Sequence, residues 1–388
     1  MMKFTTQERS WILYDWANSS YATIVLAAIF PIYFASVCSA NGADGDFWWS
    51  AGTAVSTAIA ACASPFMGAI ADYRGLKKKL MVRFLLLGVV STAACAVMDS
   101  WQGMLLGYGL SYIGFSLSCM IYDSFLTDVT TRERMDSVSA WGYSMGYIGG
   151  STIPFIGCIV LVSFGEPFGI DAVLASKLSM VVTAVWWAVF SIPFMKHCHQ
   201  THGNDAVPRH LIATSYASVK ATLVEMVANR GLLLFMLSYF FYIDGVNTII
   251  HMSTAYGTTL GLGTTDMILA LLVTQLVAVP CAILFGKLSG RLGAINLLSV
   301  AIAVYFAICI TGFVMGFGIE EGFLTIAQAT TMFWIMAFMV GTVQGGIQAL
   351  SRSYFGKLIP QNAPANTLGC SIFLASLPPS WGQHYTPS

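Results

Sequence analysis

The sequence predicts an all-α polytopic membrane protein, and three observations predict it. Apolar runs of about twenty residues fill nearly the whole chain, each long enough as an α-helix to cross about 30 Å of hydrocarbon. Hydrophobic residues make up 56% of the 388 residues and charged residues 9%, against about a quarter in a typical soluble domain. Nearly all the positive charge lies in alternate gaps between the runs, as expected when basic loops stay on one side of a membrane.

In order, the runs span roughly 12–36, 48–71, 80–98, 103–122, 138–163, 173–195, 231–252, 267–286, 294–315 and 325–349. The N-terminus and the even-numbered connections hold Lys3, Arg9, Arg74, Lys77, Lys78, Lys79, Arg132, Arg134, Lys196, Arg209, Lys220, Arg230, Lys287, Arg291, Arg352 and Lys357. Arg83 stands just inside the third run, and only Lys177 falls on the other side. The opposite connections hold Asp44, Asp46, Asp99, Glu166, Asp171, Asp266, Glu320 and Glu321. The N-terminus is therefore expected in the cytoplasm, with a bacterial inner (plasma) membrane as the setting. The first run is too long for a cleavable signal and contains Asp15. The nine cysteines form no CxxC pair and read as small core residues.

The organisation expected is a six-helix bundle over 1–195, a cytoplasmic linker over 196–230, helices seven to ten over 231–362 and an aberrant tail over 363–388. Within the linker Ile212, Tyr216, Val219, Leu223 and Met226 recur at helical spacing, a stripe suited to lying along the membrane face. The second and eighth runs end alike, in Gly68-Ala-Ile-Ala-Asp72-Tyr-Arg74-Gly75-Leu-Lys77-Lys78-Lys79 and Gly286-Lys-Leu-Ser-Gly290-Arg291-Leu-Gly293. Matching basic turns in two halves are a sign of duplication around a central site.

Gly68–Lys79 resembles the loop between helices two and three of the major facilitator superfamily, and Asp128-Val-Thr-Thr-Arg132-Glu-Arg134 resembles a second signature of that superfamily. More specifically, Tyr14-Asp15-Trp16-Ala17-Asn18-Ser19-Ser20-Tyr21, Tyr122–Asp128, Tyr242-Ile-Asp244-Gly-Val-Asn247 and Gln344–Ser353 resemble the vacuole-effluxer-like branch, whose yeast members are linked to amino-acid export. The match runs from about residue 8 to 362. It implies a major-facilitator fold of two pseudo-repeated bundles, with about 10–11 of twelve helices present. It also implies that Asp72 meets the positive N-terminal end of helix eleven and nearby arginines, holding the cytoplasmic side shut. Such a carboxylate contact contributes roughly 0.3–2 kcal/mol.

An intramembrane carboxylate is a functional candidate because ionised groups insert at a cost of at least about 2.5–3.5 kcal/mol. Asp15 and Asp244 qualify, each followed three residues later by an amide, Asn18 or Asn247, on the same helix face. Two readings of Asp15 remain open: a cap or anchor near the interface, and a solute-binding group. Asp244, deeper in its helix, is the stronger solute or proton site. Asn18, Tyr21, Asn247, Gln344 and Gln348 complete the expected solute or proton-binding set, and Gly68, Asp72, Arg74, Gly75, Lys77, Lys78, Asp128 and Arg134 the gating set. Arg352 is expected to anchor the inner face by snorkelling to headgroups. Gly142, Gly146, Gly149 and Gly150 in helix five, followed by Pro154, resemble a glycine-rich stretch of proton-driven drug antiporters, less one residue and the proline after the second glycine; close helix packing explains them as well.

His197, Cys198, His199 and His202 suit a transition metal, but a solvated loop is the preferred reading, so no metal and no cofactor are expected. No catalytic constellation supports an enzyme. In the tail, Pro364, Pro378 and Pro379 interrupt any lipid-facing helix. With a suitable choice among synonymous codons for Phe373–Tyr385, reading one base earlier gives a peptide resembling helix eleven of the family, so a frameshifted, truncated C-terminus is the expectation. The function expected is secondary active transport of a small polar solute, amino acids by resemblance. The alternatives are a non-transporting remnant and a proton-coupled drug or metabolite antiporter. The partners expected are the lipid bilayer and a small-molecule solute, with protons as a further candidate and no nucleic acid.

Overall fold

The computed structural model describes residues 3–358 apart from 205–207 and 209; Arg209 and the tail from 359 onward lie outside the described residues. The described chain is helical throughout, and the Tyr73–Asn204 parallel bridge is its isolated β-contact. Nine helices are long and apolar enough to cross a membrane, among the described residues. A further helix, α4 (Leu76–Cys95), carries Lys77, Lys78, Lys79 and Arg83 in its first turns and packs between α5 (Trp101–Ser124) and α9 (Ala172–His197). Ten helical spans thus match the ten runs.

The first span is α1 (Thr6–Tyr21), a π-helical stretch Ala22–Ala28 and α2 (Ile29–Ala40); the second is α3 (Gly45–Ala71). A short α6 (Leu126–Val129) precedes the fifth span, made of α7 (Met135–Gly146), a second π stretch Tyr147–Thr152 and α8 (Ile153–Phe164). After the linker helix α10 (Leu211–Ala228) come α11 (Arg230–Thr259), α12 (Thr264–Leu292), α13 (Ala294–Glu320) and α14 (Ile326–Leu358). Each π stretch lies just before a proline, Pro31 or Pro154. A proline ring clashes with the carbonyl four residues back, here Ala27 or Gly150, and a widened turn relieves that clash.

Termini of the helices follow local chemistry. Thr5 and Glu8 form a reciprocal capping box on α1, and Asp44 and Asp171 accept from the Phe47 and Leu174 amides to cap α3 and α9. The two repeated basic turns both end in a left-handed glycine, Gly75 at φ 77° and Gly293 at φ 82°, a conformation that a side chain would strain.

Core packing divides along the chain. A large aromatic core joins Trp11, Tyr14, Tyr122, Trp187 and Phe194 in the N-terminal half, and a separate cluster joins Val246, Leu298, Tyr305, Val343 and Ile347 in the C-terminal half. Large apolar side chains such as Ile32, Val90, Leu106, Phe241 and Phe306 remain exposed, as lipid-facing surfaces require. The halves meet where α7 and its π extension pack against α12 and α14. They meet again at α10, whose Val219 is buried with Ala69 of α3, Leu232 and Met236 of α11, and Phe355 of α14. Of the linker stripe, Val219 is thus buried between helices while Tyr216 is exposed.

Candidate functional site

The buried charges gather at the end of the bundle that carries the basic loops. Arg352, near the end of α14 and about two turns beyond Gln344, reaches across to the N-terminal half. Its Nη2 donates to Asp15 Oδ2 at 3.0 Å and its Nη1 to Asp123 Oδ1 at 3.0 Å. Its Nε donates to the Ser139 hydroxyl at 2.9 Å and Nη2 also reaches the Ser139 carbonyl at 3.1 Å. Aromatic rings enclose the guanidinium, Tyr143 at 4.4 Å, Trp11 at 4.5 Å and Tyr122 at 5.5 Å from the ring centroids. Such ring faces attract a desolvated cation by about 2 kcal/mol. With 7% of its side chain exposed, Arg352 is no snorkelling anchor, and that expectation is corrected. The Asp15 and Asp123 carboxylates give it better partners than headgroups would.

Helix five leaves room for this contact. A Cβ on Gly142 would fall on Asp15 Oδ2 and come within 3.0 Å of Arg352 Nη2. A Cβ on Gly149 or Gly150 would strike Trp16 or Ser19. The glycine stripe therefore packs α7 and its extension tightly on α1.

More contacts run along the same seam. Asp136 of α7 pairs with Lys357 of α14 at 2.6 Å. The Ser139 hydroxyl donates to the Ala349 carbonyl at 2.8 Å, Ser144 to the Val279 carbonyl at 3.1 Å, and the Tyr147 hydroxyl to Gln348 Oε1 at 3.4 Å. A Cβ on Gly286 would come within 2.5 Å of Ala140, so the glycine that opens the second basic turn is itself a packing point between halves. Gln348 and Arg352 thus act on one helix face, as their spacing predicts, and that face is a junction.

A second charged cluster lies within the N-terminal half. Lys77 Nζ donates to Asp128 Oδ2 at 2.6 Å and to the Ser124 carbonyl at 3.0 Å, both side chains being buried. Asp128 Oδ1 accepts from the Thr201 amide at 3.0 Å and hydroxyl at 2.8 Å, and from the His202 amide at 3.0 Å. The linker is further tied to the first basic turn. Arg74 N donates to the Asn204 carbonyl at 3.0 Å, Asn204 N to the Asp72 carbonyl at 2.8 Å, and Gly75 N to Gln200 Oε1 at 3.1 Å. Arg134 does not meet Asp128. Its Nε and Nη2 grip Glu8 at 2.8 and 2.7 Å, with Thr130 donating to the same carboxylate at 2.7 Å. Glu8, Asp123 and Ser139 are the site residues that sequence reasoning missed; Asp123 lay inside the quoted Tyr122–Asp128 motif, the one signal that could have found it.

Other expected site residues stand apart from these clusters. Tyr21 is fully buried, its hydroxyl accepting from Ser111 at 3.0 Å and its ring stacked on Phe115, so in this arrangement it serves packing. Asp244 and Asn247 are half-buried on α11, and Asn18 and Gln344 are buried. Among the described residues these four side chains have no hydrogen-bond or ion-pair partner. Gly68 is buried at the end of α3, Lys78 is half-buried, and Asp72 caps that helix. The helix-eleven partner expected for Asp72 lies outside the described residues. His202 pairs with Asp128 at 3.2 Å and the Cys198 thiol lies 3.6 Å from the Gln7 carbonyl, while no group of metal-binding side chains occurs among the described residues. Burial pushes the Cys198 thiol up to about 12.

Comparison with known proteins places this geometry in a family. The sequence model described as "Vacuole effluxer Atg22 like" matches residues 50–366. The chain is 44% identical over 368 residues to the uncharacterized MFS-type transporter YxiO of Bacillus subtilis, covering 93% of this chain and 83% of that one. It is 24% identical over 253 residues to autophagy-related protein 22-1 of Aspergillus fumigatus, covering 60% of this chain and 40% of the fungal protein. Among solved structures, the proton:xylose symporter XylE superposes with a TM-score of 0.68 at 12% identity, over 96% of this chain and 86% of that one. A bacterial homologue of the iron transporter ferroportin gives 0.60 at 14% identity, over 97% and 89%. The chain belongs to the Atg22-like vacuole effluxer family, a family of MFS-type membrane transporters, and has the major-facilitator fold.

Proposed function

We propose that the protein is a secondary active transporter that moves a small polar solute across a bacterial plasma membrane by alternating access, with its N-terminus and basic end in the cytoplasm. One observation carries the reading. Arg352 of the C-terminal half is buried between two carboxylates of the N-terminal half, so the basic end is held shut by contacts that must break when the halves part. Rigid rocking of two bundles about a midplane site requires a seam of this kind.

Asp244, Asn247, Asn18 and Gln344 supply the solute contacts in this reading, because their polar groups are not engaged elsewhere among the described residues. Asp15 serves both the seam and the solute once Arg352 withdraws. Lys77, Asp128, Arg74, Gly75 and Arg134 fix the loops around the moving parts. Amino acids are the first solutes to try, a choice that rests on the family alone.

The test is uptake of radiolabelled amino acids by liposomes containing the purified chain, with Asp244→Asn and Arg352→Gln beside it. Saturable uptake lost in both variants supports the reading. Absence of uptake for every amino acid in a correctly inserted protein, with no counterflow, overturns amino-acid transport.

A further inference from the structure

We propose that Asp123 is the site at which a proton enters the inter-bundle seam and releases it. This deepens the transport reading above and rests on it for its functional meaning. The starting point is a charge count. One guanidinium faces two carboxylates, so one negative charge is left uncompensated among side chains that are 7% exposed for Arg352 and 10% for Asp15. A buried carboxylate without its own counter-charge is strongly disfavoured, and the usual relief is a proton.

Geometry selects which carboxylate takes it. Asp15 is the deeper acid and lies under the Gly142 backbone. Each acid takes one bond from Arg352, but Asp123 is 28% exposed against 10% for Asp15, so water can deliver a proton to it. The ionisable groups that face Asp123 are Arg352 from α14, Asp15 from α1, Tyr143 from α7, Tyr239 from α11, and Cys119 and Tyr122 from its own helix. Thiols and phenols are neutral near pH 7. The charge of the site is therefore set by Arg352, Asp15 and Asp123.

The consequence follows from where each group is mounted. Both acids belong to the N-terminal half and their shared cation to the C-terminal half. Parting the halves strands two carboxylates together with no cation. A proton on Asp123 removes one of these charges and turns a charge-assisted bond to Nη1 into a weaker one. Acidification therefore favours parting of the basic end, and deprotonation favours its closure.

The test needs no solute. Spin labels carried by unnatural amino acids replace Glu133 and Lys287, exposed residues on opposite halves of the basic end. Distances are read across pH in the full chain reconstituted in lipid. The wild type is expected to gain a longer-distance population on acidification, the open-to-closed ratio rising by about tenfold or more, the equivalent of one unit of differential protonation. Asp123→Asn is expected to show that population at every pH with no pH response, and Asp123→Glu to keep the response, which also guards against a folding defect. The proposal is overturned if Asp123→Asn responds to pH as the wild type does, or if the wild type shows no response. Loss of the response in Asp15→Asn alone would also overturn the assignment. Failure to find a transported solute counts against the transport reading and leaves this distance measurement separately readable.

Discussion

The clusters around Asp128 and Arg352 use the same chemistry to opposite ends. Asp128 is matched by one lysine and a set of linker donors, all on elements of the N-terminal half or on the linker segment tied to it. Arg352 draws its partners from across the seam and is outnumbered by carboxylates. A buried pair contributes little net stability when intact, but removing one partner costs about 3–5 kcal/mol. Where both partners ride on one rigid body, that penalty protects the fold. Where they ride on two, it sets the balance between conformations. The comparison teaches that a charge cluster's role follows from which bodies its members belong to, more than from its depth.

Arg352→Gln should break the comparison most sharply. It leaves Asp15 and Asp123 without a cation, so the closed form should lose about 3–5 kcal/mol, read as a shift of the 133–287 distance to the open value at neutral pH. Arg352→Lys should rescue little, because an ammonium cannot hold both acids and the Ser139 hydroxyl in one planar fork. A closed wild-type-like distance in either variant would remove Arg352 from the seam.

Lys77→Met tests the other side of the contrast. It should lower thermal stability in detergent by about 3–5 kcal/mol, the cost of leaving Asp128 buried without its cation, while the 133–287 distance stays closed. If the distance opens as it does for Arg352→Gln, the two clusters do not differ in kind.

Gly142→Ala should cost the closed form about 1–3 kcal/mol by overpacking against Asp15. Combined with Asp15→Ala, the loss should fall short of the sum of the single effects, because the clash and the ion pair share an atom; full additivity would show that Gly142 does not act through Asp15. The smallest effect belongs to Ser139→Ala, which removes a bond to Arg352 and one to the Ala349 carbonyl. A shift of about 0.5–1.5 kcal/mol in the open-to-closed ratio is expected, and its absence would leave the guanidinium held by the acids, the rings and the Ser139 carbonyl.

Much of the fold is legible in the residue order. Twenty-residue apolar runs become helices because hydrocarbon offers backbone groups no other partner, and the ten runs correspond to α-helical spans with ends set by caps such as Thr5, Asp44 and Asp171. The repeated turns were visible through Gly75 and Gly293, since a positive φ leaves glycine as its signature. The glycines of helix five announced a close approach, yet not to what.

The site was legible only in part. Asp15, Lys77, Asp128 and Gln348 could be picked out because a charge or amide inside an apolar run is conspicuous, but their partners could not. Asp15 and Arg352 are separated by 337 positions, and Arg134 finds Glu8 across 126; no local pattern links such pairs. Near the end of its helix Arg352 satisfied the rule for a snorkelling anchor, and only the packing of α14 on α7, with Asp15 of α1 and Asp123 of α5 within reach, turned it inward. The sequence by itself determined the helices, their alternation across the bilayer and the duplicated turns, because these depend on local solvation and backbone conformation. Tertiary structure alone decided which charges share a cation and which half of the molecule carries each, because that depends on how separately formed helices are brought side by side.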